Sequence, residues 1–336
     1  MGMLKILYRN ARRGVISIFE YWKSSRGIVN RIGDRDKKNK PNRIKIFLDI
    51  LYCTFKYGAN DINYQMYDFY GKSHEYRDPF ITWLRTYKIQ NQLDAKVCHD
   101  LLSKVVFNER YADCLKRAWI DCRGTTEKDI RLFISRYKKV IAKPIFSALG
   151  RGIHILEYEN LPLDLSYLIH KEGYILEELL QNAPEIGFIN PTSLNTLRFV
   201  TATDKFGCYK ILSCILRMGV GNSITDNLCT GGIACAVDLS SGKLINNAKD
   251  VIGNMYVEHP TSRVKFDGYQ IPYFDECLNL IDVLCKRMPN ARYVGWDIAI
   301  STNGVCVIEG NTPPSEETTE FSLKGQWYDL LKILND

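Results

Sequence analysis

Between Leu197 and Gly310 the apolar residues fall into short runs broken by polar or glycine-bearing stretches: "LRFVTAT", "YKILSCILRMG", "IACAVDL", "YVGWDIAI" and "VCVIEG". Runs of this length, rich in β-branched and aromatic residues, predict strands. One helical pattern, "YFDECLNLIDVLCKRMP", interrupts them. From Ile46 to about Leu102 the apolar spacing is helical and rich in tyrosine, which points to packing between helices. "DCRGTTEKDIRLFISRYKKVIAKP" predicts a turn, a helix opened by a Thr/Glu capping signal, and a strand ending at Lys143. "KEGYILEELL" holds a further short strand, and residues 1–45 read as basic helix and polar connector. The fold class is α+β, with helices packed on a largely antiparallel sheet.

A chain of 336 residues exceeds the common size of one domain, so two or three subdomains are expected. No apolar run is long enough to span a bilayer, and "MGMLKILYRNARRGVISIFE" lacks the uninterrupted core of a signal peptide. Ile6 stands where a myristoylation signal at Gly2 would have Ser or Thr. Eleven scattered cysteines without a C-x-x-C pair signal neither zinc nor a disulfide framework. Several lie inside apolar strands, so reduced thiols and a cytoplasmic location are expected.

The net charge of +7 is uneven: residues 1–60 hold fourteen Lys and Arg against four Asp and Glu. Beside a stripe of Leu4, Ile6, Leu7, Val15, Ile16 and Phe19, that charge suggests contact with an anionic membrane, at its inner face, or with an anionic polysaccharide. A solvated face remains the plainer reading. No nucleic-acid-binding motif accompanies the basic residues.

Several segments could carry chemistry. In "VIAKPIFSALGRGIHIL" a strand ends at Lys143 and a turn with Gly150 and Gly152 follows. Glycines let backbone N–H groups approach phosphate oxygens, and a lysine adds a point charge; an ordinary hairpin is the alternative. The spacing is not that of a P-loop. Arg198 sits inside an apolar strand and needs a partner, either a buried acid or a bound anion. Arg217 ends a strand and leads into a loop with Asp226, Asn227, Gly231 and Gly232, long enough to suggest a site. His259 precedes a proline and reads more readily as structural than catalytic. In "VGWDIAISTNGVCVIEGNTPP" a hairpin turned at "STNG" would set Asp297 across from Glu309 and Asn311, which share a face at period two. Three oxygen-bearing side chains there fit either a hard-metal site or a solvated edge.

Taken in order, Lys-Pro with its glycine turn, "LEELL", an Arg-bearing strand, "TDNLCTGGI", "HPTS" and Asp…Glu-x-Asn resemble the ATP-grasp superfamily, and within it the sugar-transfer-associated ATP-grasp family of bacterial polysaccharide biosynthesis. The resemblance implies two α+β subdomains clasping ATP, behind a helical N-terminal region. Boundaries expected on that basis are 1–45, a basic helix and connector; 46–120, a helical domain; 121–182, a small subdomain with the glycine flap; and 183–336, a large subdomain with the metal and acceptor site. It implies ATP and Mg2+ as cofactors. Lys96, Lys143, Gly150 and Gly152 would contact phosphates, Glu177, Glu178 and Leu180 would hold adenine, and Glu185 would hold ribose. Asp297, Glu309 and Asn311 would bind magnesium. Arg198, Arg217 and Asn227 would face the transferred phosphate or the carboxylate substrate, with Asn195, Asp226, Gly231, Gly232 and His259 toward the acceptors. The activity implied is a carboxylate–amine ligase working through an acyl phosphate, which joins an amine such as an amino acid to a sugar carboxylate of capsule or O-antigen. A phosphotransferase, or a nucleotide-binding protein without catalysis, are the alternatives.

Overall fold

The computed structural model describes residues 18–32, 41–147, 151–170 and 172–336. The expectations placed on Gly2, Leu4, Ile6, Leu7, Val15, Ile16 and Gly150 lie outside them. The first part is helical: α1 (18–32), α2 (Arg43–Tyr57), α3 (Asp61–Met66), α4 (His74–Arg77), α5 (Trp83–Gln90), α6 (Ala95–Leu102) and α7 (Lys104–Arg110). Asn42 caps α2 by accepting from the Ile44 N–H, and Gly58 ends it at φ 70°. A Cβ at Gly58 would stand 2.5 Å from Leu84 Cβ, so the turn needs glycine both for its backbone angle and for the close approach of α5. The tyrosines do pack as core: Tyr64, Tyr67, Phe69 and Phe80 are buried together, with the Tyr67 and Phe80 rings stacked at 4.9 Å.

A four-stranded antiparallel sheet follows, in the order β1-β4-β2-β3, from β1 (Trp119–Asp121), β2 (Lys139–Pro144), β3 (His154–Glu157) and β4 (Tyr174–Glu178). Helix α8 (Glu127–Tyr137) covers one face by burying Ile130 and Ile134 against Val140, Ala142, Leu156 and Leu176. Its capping acid is Asp129 and not Glu127, because only the third helical residue can reach back to the Thr126 N–H.

The larger sheet has seven antiparallel strands in the order β11-β10-β5-β6-β7-β8-β9. They are β5 (Thr196–Thr203), β6 (Tyr209–Met218), β7 (Ile233–Val237), β8 (Leu244–Lys249), β9 (Met255–Tyr256), β10 (Tyr293–Ser301) and β11 (Gly304–Asn311). Strands β5 and β10 are buried along their whole length, since helices cover both faces. On one face lies α10 (Phe274–Arg287), with Cys277, Ile281 and Leu284 against Phe199, Leu216 and Trp296. On the other lie α11 (Glu316–Thr319) and α12 (Trp327–Asn335), with Leu330 against Val200, Ala202 and Tyr293. A short helix, α9 (Pro184–Gly187), sits on the connection between the sheets. The hairpin expected at "STNG" joins β10 to β11 and turns through Gly304 at φ 104°.

Helix α11 carries an acidic corner into this packing. Glu320 is fully buried and accepts from the N–H groups of Ile81, Gln326 and Gly325. Burial pushes Glu320 up to about 7 and, with Glu316 alongside, pushes Glu317 up to about 8. A carboxyl group raised by folding binds its proton more tightly in the native state. The stability these two groups contribute is therefore fullest at or below the ordinary glutamate range near about 4.3 and is lost as pH rises toward about 8. The expected outcome is a melting temperature that drops between those limits, with a shallower drop in Glu317→Gln, measured by thermal denaturation across pH.

Candidate nucleotide site

Strands β2 and β4 pair with Ile141 opposite Glu177 and Lys143 opposite Ile175, so Lys143 and Glu177 are diagonal neighbours. Lys143 Nζ lies 2.5 Å from Glu177 Oε2. Glu177 Oε1 accepts from Arg117 Nη2 at 2.8 Å and from Asn108 Nδ2 at 2.9 Å. Arg117 reaches on to the larger sheet, donating through Nη1 to Val307 O at 2.7 Å and through Nη2 to Ile308 O at 3.1 Å. Burial alone would raise the Glu177 pKa, but Arg117 and Lys143 overcome it and hold the group well below the usual carboxylate range.

A second lysine arrives from the helical region. Lys104 opens α7, where its N–H bonds Ile145 O, and its Nζ donates to Ser147 O at 2.9 Å and to Ser147 Oγ at 3.2 Å. Burial lowers its pKa, against the pull of Glu309. Lys104, Lys143, Glu177, Glu309 and Asn311 line one pocket of about 20 Å³. Lys143, Glu177 and Ile308 also line a larger cleft of about 660 Å³, whose apolar wall includes Ile141, Ile155 and Leu180.

The hairpin supplies the opposite charge. Asp297 pairs with Glu309 and Gly295 with Asn311, and a register shift beside Asp297 leaves Ile308 as the extra residue. Asn311 Nδ2 donates to Glu309 Oε1 at 3.0 Å, so these two side chains do share a face. Asp297 is engaged differently. Arg198 donates to both of its oxygens, and Arg217 Nη2 donates to Oδ2 at 2.8 Å. Arg217 also donates to Thr196 Oγ1, which in turn donates to Asp226. Burial would raise Asp297, yet the two arginines keep it below its ordinary value. Asp226 stays raised by burial, with Arg217 opposing. The partner that Arg198 needed is thus a buried acid.

Among the described residues no three His, Cys, Asp or Glu side chains are grouped to share a metal. Glu309 and Asn311 present oxygens in one pocket with two lysines, a donor set that suits a hard cation completed by phosphate oxygens rather than an all-protein cage. Asp297 stands across from Glu309, but both its oxygens are committed to guanidinium groups.

Other expected residues separate into those at the cleft and those behind it. Glu178 and Leu180 line the cleft, with Glu178 Oε2 accepting from Ala118 N–H at 3.1 Å. Gly152 makes the β2–β3 turn at φ 74°, where a Cβ would stand 2.8 Å from Pro144 Cγ. Asn227 Oδ1 caps the turn that follows it by accepting from Cys229 N–H. Gly231 closes that turn at φ 94°, and a Cβ at Gly232 would lie 2.7 Å from Asp226 O.

Four of the expected residues do not line the pocket or the cleft beside Lys143. Lys96 is 79% exposed on α6 and pairs with Asp100 one turn on, because its helix turns it outward; the lysine that joins Lys143 in the pocket is Lys104. Glu185 lines a separate cleft, held by Tyr273 Oη at 2.9 Å, so it does not face the pocket that Lys143 lines. His259 is fully buried, with Nε2 on Gly219 O at 2.8 Å and Nδ1 accepting from Thr261 and Ser262 N–H; burial lowers its pKa, and it braces the loop. Asn195 is buried, and its Nδ2 bridges Ile186 O and Asn190 O. Sequence reading missed Lys104 and Arg117. Lys104 carried a faint signal, the "S-K" helix start after Ser103, while Arg117 had none.

The sequence matches the family described as sugar-transfer associated ATP-grasp over residues 80–325. No curated protein matches it. Among solved structures it is similar to the ATP-grasp ligase PsnB complexed with precursor peptide PsnA2 and AMPPNP, at 13% identity over 90% of this chain and 76% of that one, TM-score 0.44. It is similar to D-alanine–D-alanine ligase from Bacillus anthracis complexed with ATP, at 10% identity over 74% and 72%, TM-score 0.42. It is similar to N5-carboxyaminoimidazole ribonucleotide synthetase from Thermotoga maritima, at 12% identity over 76% and 56%, TM-score 0.43. The chain spans 57% of the PsnB chain solved with a minimal precursor. Such distant likenesses assign no residue and no substrate, and the family rests on the sequence match. Because that match covers well over half of the chain, taking in both sheets and helices α5 to α7 before them, the chain belongs to the sugar-transfer-associated ATP-grasp family.

Proposed function

We propose that this chain is an ATP- and magnesium-dependent carboxylate–amine ligase that joins an amine, such as an amino acid, to a sugar carboxylate in the making of capsule or O-antigen. The reaction would take place in the cytoplasm, with the N-terminal region against the inner face of the membrane. The observation that carries the reading is the meeting of Lys104 and Lys143 with Glu309 and Asn311 in one pocket that shares lining residues with an apolar cleft. The family description adds the ATP-grasp setting and the association with sugar transfer.

In this reading the apolar wall of Ile141, Ile155 and Leu180 takes the adenine ring, and the chain leaving β4 after Glu178 runs past its edge. Lys104 and Lys143 take the phosphates, and Glu177 holds the Lys143 ammonium in place until they arrive. Glu309 and Asn311 would hold magnesium, which when bound screens phosphate charge and orients the transferred group. The substrate carboxylate attacks the terminal phosphorus, giving an acyl phosphate and ADP. An amine then attacks the acyl carbon, phosphate leaves, and the amine loses a proton. Charge on the moving phosphoryl group meets cations whose positions are fixed beforehand, so little reorganisation is needed. Asp297 is a positioning residue here: it aligns Arg198 and Arg217 side by side beneath the site.

The test is ADP release from purified protein offered uronic acids and amino acids singly and together. Release that needs both, with hydroxylamine trapping a hydroxamate, supports ligation; a phosphorylated acceptor without amide would replace it with phosphotransfer. Glu309→Gln should lose turnover while keeping the wild-type melting curve. Lys104→Ala should slow turnover by about 100-fold or more, the usual cost of removing one preorganised charge donor, whereas Lys96→Ala should stay within about twofold. Equal losses in the two lysine variants would contradict the placement.

A further inference from the structure

Helix α2 is apolar on two opposite sides. Ile46, Ile50, Cys53 and Tyr57 face the helical core and are buried. Ile44, Leu48, Tyr52 and Phe55 recur at helical spacing on the outer side, exposed at 56, 57, 50 and 87%. A surface helix ordinarily carries polar residues there, and clustered exposed apolar side chains mark a contact surface. Trp22 of α1 extends the patch: it is partly exposed, meets Phe47 edge-on at 5.3 Å, and lies under the Arg43 guanidinium at 3.9 Å.

The patch has a basic rim. Lys45 and Lys56 flank the outer side of α2, and Lys23 and Arg26 are exposed on α1. None of these four pairs with an acid among the described residues. The only acid of α2, Asp49, is turned inward to Arg77 and Tyr64. Residues 1–60 together hold fourteen Lys and Arg against four Asp and Glu, while the whole chain is only +7.

We propose that the outer side of α2, with Trp22, docks on an anionic lipid bilayer, with Phe55 and Leu48 entering the headgroup–acyl boundary and the lysine ammoniums resting among lipid phosphates. Each feature of the face fits that occupant. Aliphatic and aromatic side chains need an apolar phase, which an anionic polysaccharide does not offer. Aromatic rings with a polar handle, Tyr52 and Trp22, are the kind that settle at a membrane interface. Lysines can lay their stems along the apolar face and keep their charge in the headgroup layer. A second copy of the chain would bring one basic rim against another. No helix among the described residues is long and apolar enough to cross a bilayer, so the contact is with its surface. The inference rests on the membrane contact proposed above and specifies the surface that makes it; it uses none of the residues of the nucleotide pocket, so its failure would leave the ligation chemistry untouched.

The experiment is flotation of the full-length protein with vesicles of phosphatidylcholine containing a minority of phosphatidylglycerol, and with vesicles of phosphatidylcholine alone. The protein should float with the anionic vesicles, stay behind with the neutral ones, and be partly released by added salt. Leu48→Ser with Phe55→Ser should weaken binding at least about tenfold, since two exposed apolar side chains leave the contact. Lys45→Glu with Lys56→Glu should weaken it as well, and both double variants should melt like wild type because the changed residues are exposed. The proposal is overturned if wild type does not float, or if both double variants float as well as wild type, which would assign binding to another segment. It is also overturned if wild type sediments as a dimer and Leu48→Ser with Phe55→Ser as a monomer, which would make the face a self-interface.

Discussion

The carboxylate of Glu177 is the point on which both sheets converge. It belongs to β4 of the smaller sheet, takes Lys143 from its own sheet and Asn108 from the helical region, and accepts from Arg117. Arg117 is bonded on to the backbone of β11 in the larger sheet. A buried acid with one partner would be costly, whereas one satisfied by two cations and an amide is stable and fixes geometry. The lysine that faces the pocket, the strand that carries Glu309 and the helix that carries Lys104 are thereby held in a common frame.

A second buried charge group lies behind the hairpin. Arg198, Asp297, Arg217 and Asp226 alternate in sign, and Thr196 bridges the last pair. Removing one member would strand the others without partners, which is why such clusters act as a unit. Four charged residues in central strands and the loop beside them are a poor device for stability alone. In the proposed function they would hold Arg198 and Arg217 in fixed positions toward the transferred phosphate.

Much of this was legible in the chain. The apolar runs of β5, β6, β7, β10 and β11 announced strands because they are long and β-branched, and "STNG" announced the turn between the last two. β1 and β9, with three and two residues, carry too little pattern to read, and "LINNAK" of β8 alternates too weakly. The same-face pair Glu309 and Asn311 followed from period two alone, and Arg198 declared its need for a partner by sitting in an apolar strand. What spacing could not supply was the direction of side chains on helices. Lys96 and Lys104 are eight residues apart, and only the break between α6 and α7 at Ser103 decides which one enters the pocket. Arg117 acts through tertiary contacts to Glu177, Val307 and Ile308, which no local signal records. His259, set before a proline, read more readily as structural than catalytic, and its ring is taken up by backbone partners.

The central claim is that the pocket between Lys104, Lys143, Glu309 and Asn311 receives the phosphate end of a nucleotide. A crystal structure with magnesium and a non-hydrolysable ATP analogue tests it most directly. The account requires the terminal phosphates between the two lysines, the metal on Glu309 and Asn311, and the base against Ile141 and Leu180. A triphosphate seated elsewhere, for example in the cleft beside Glu185 and Tyr273, would contradict it.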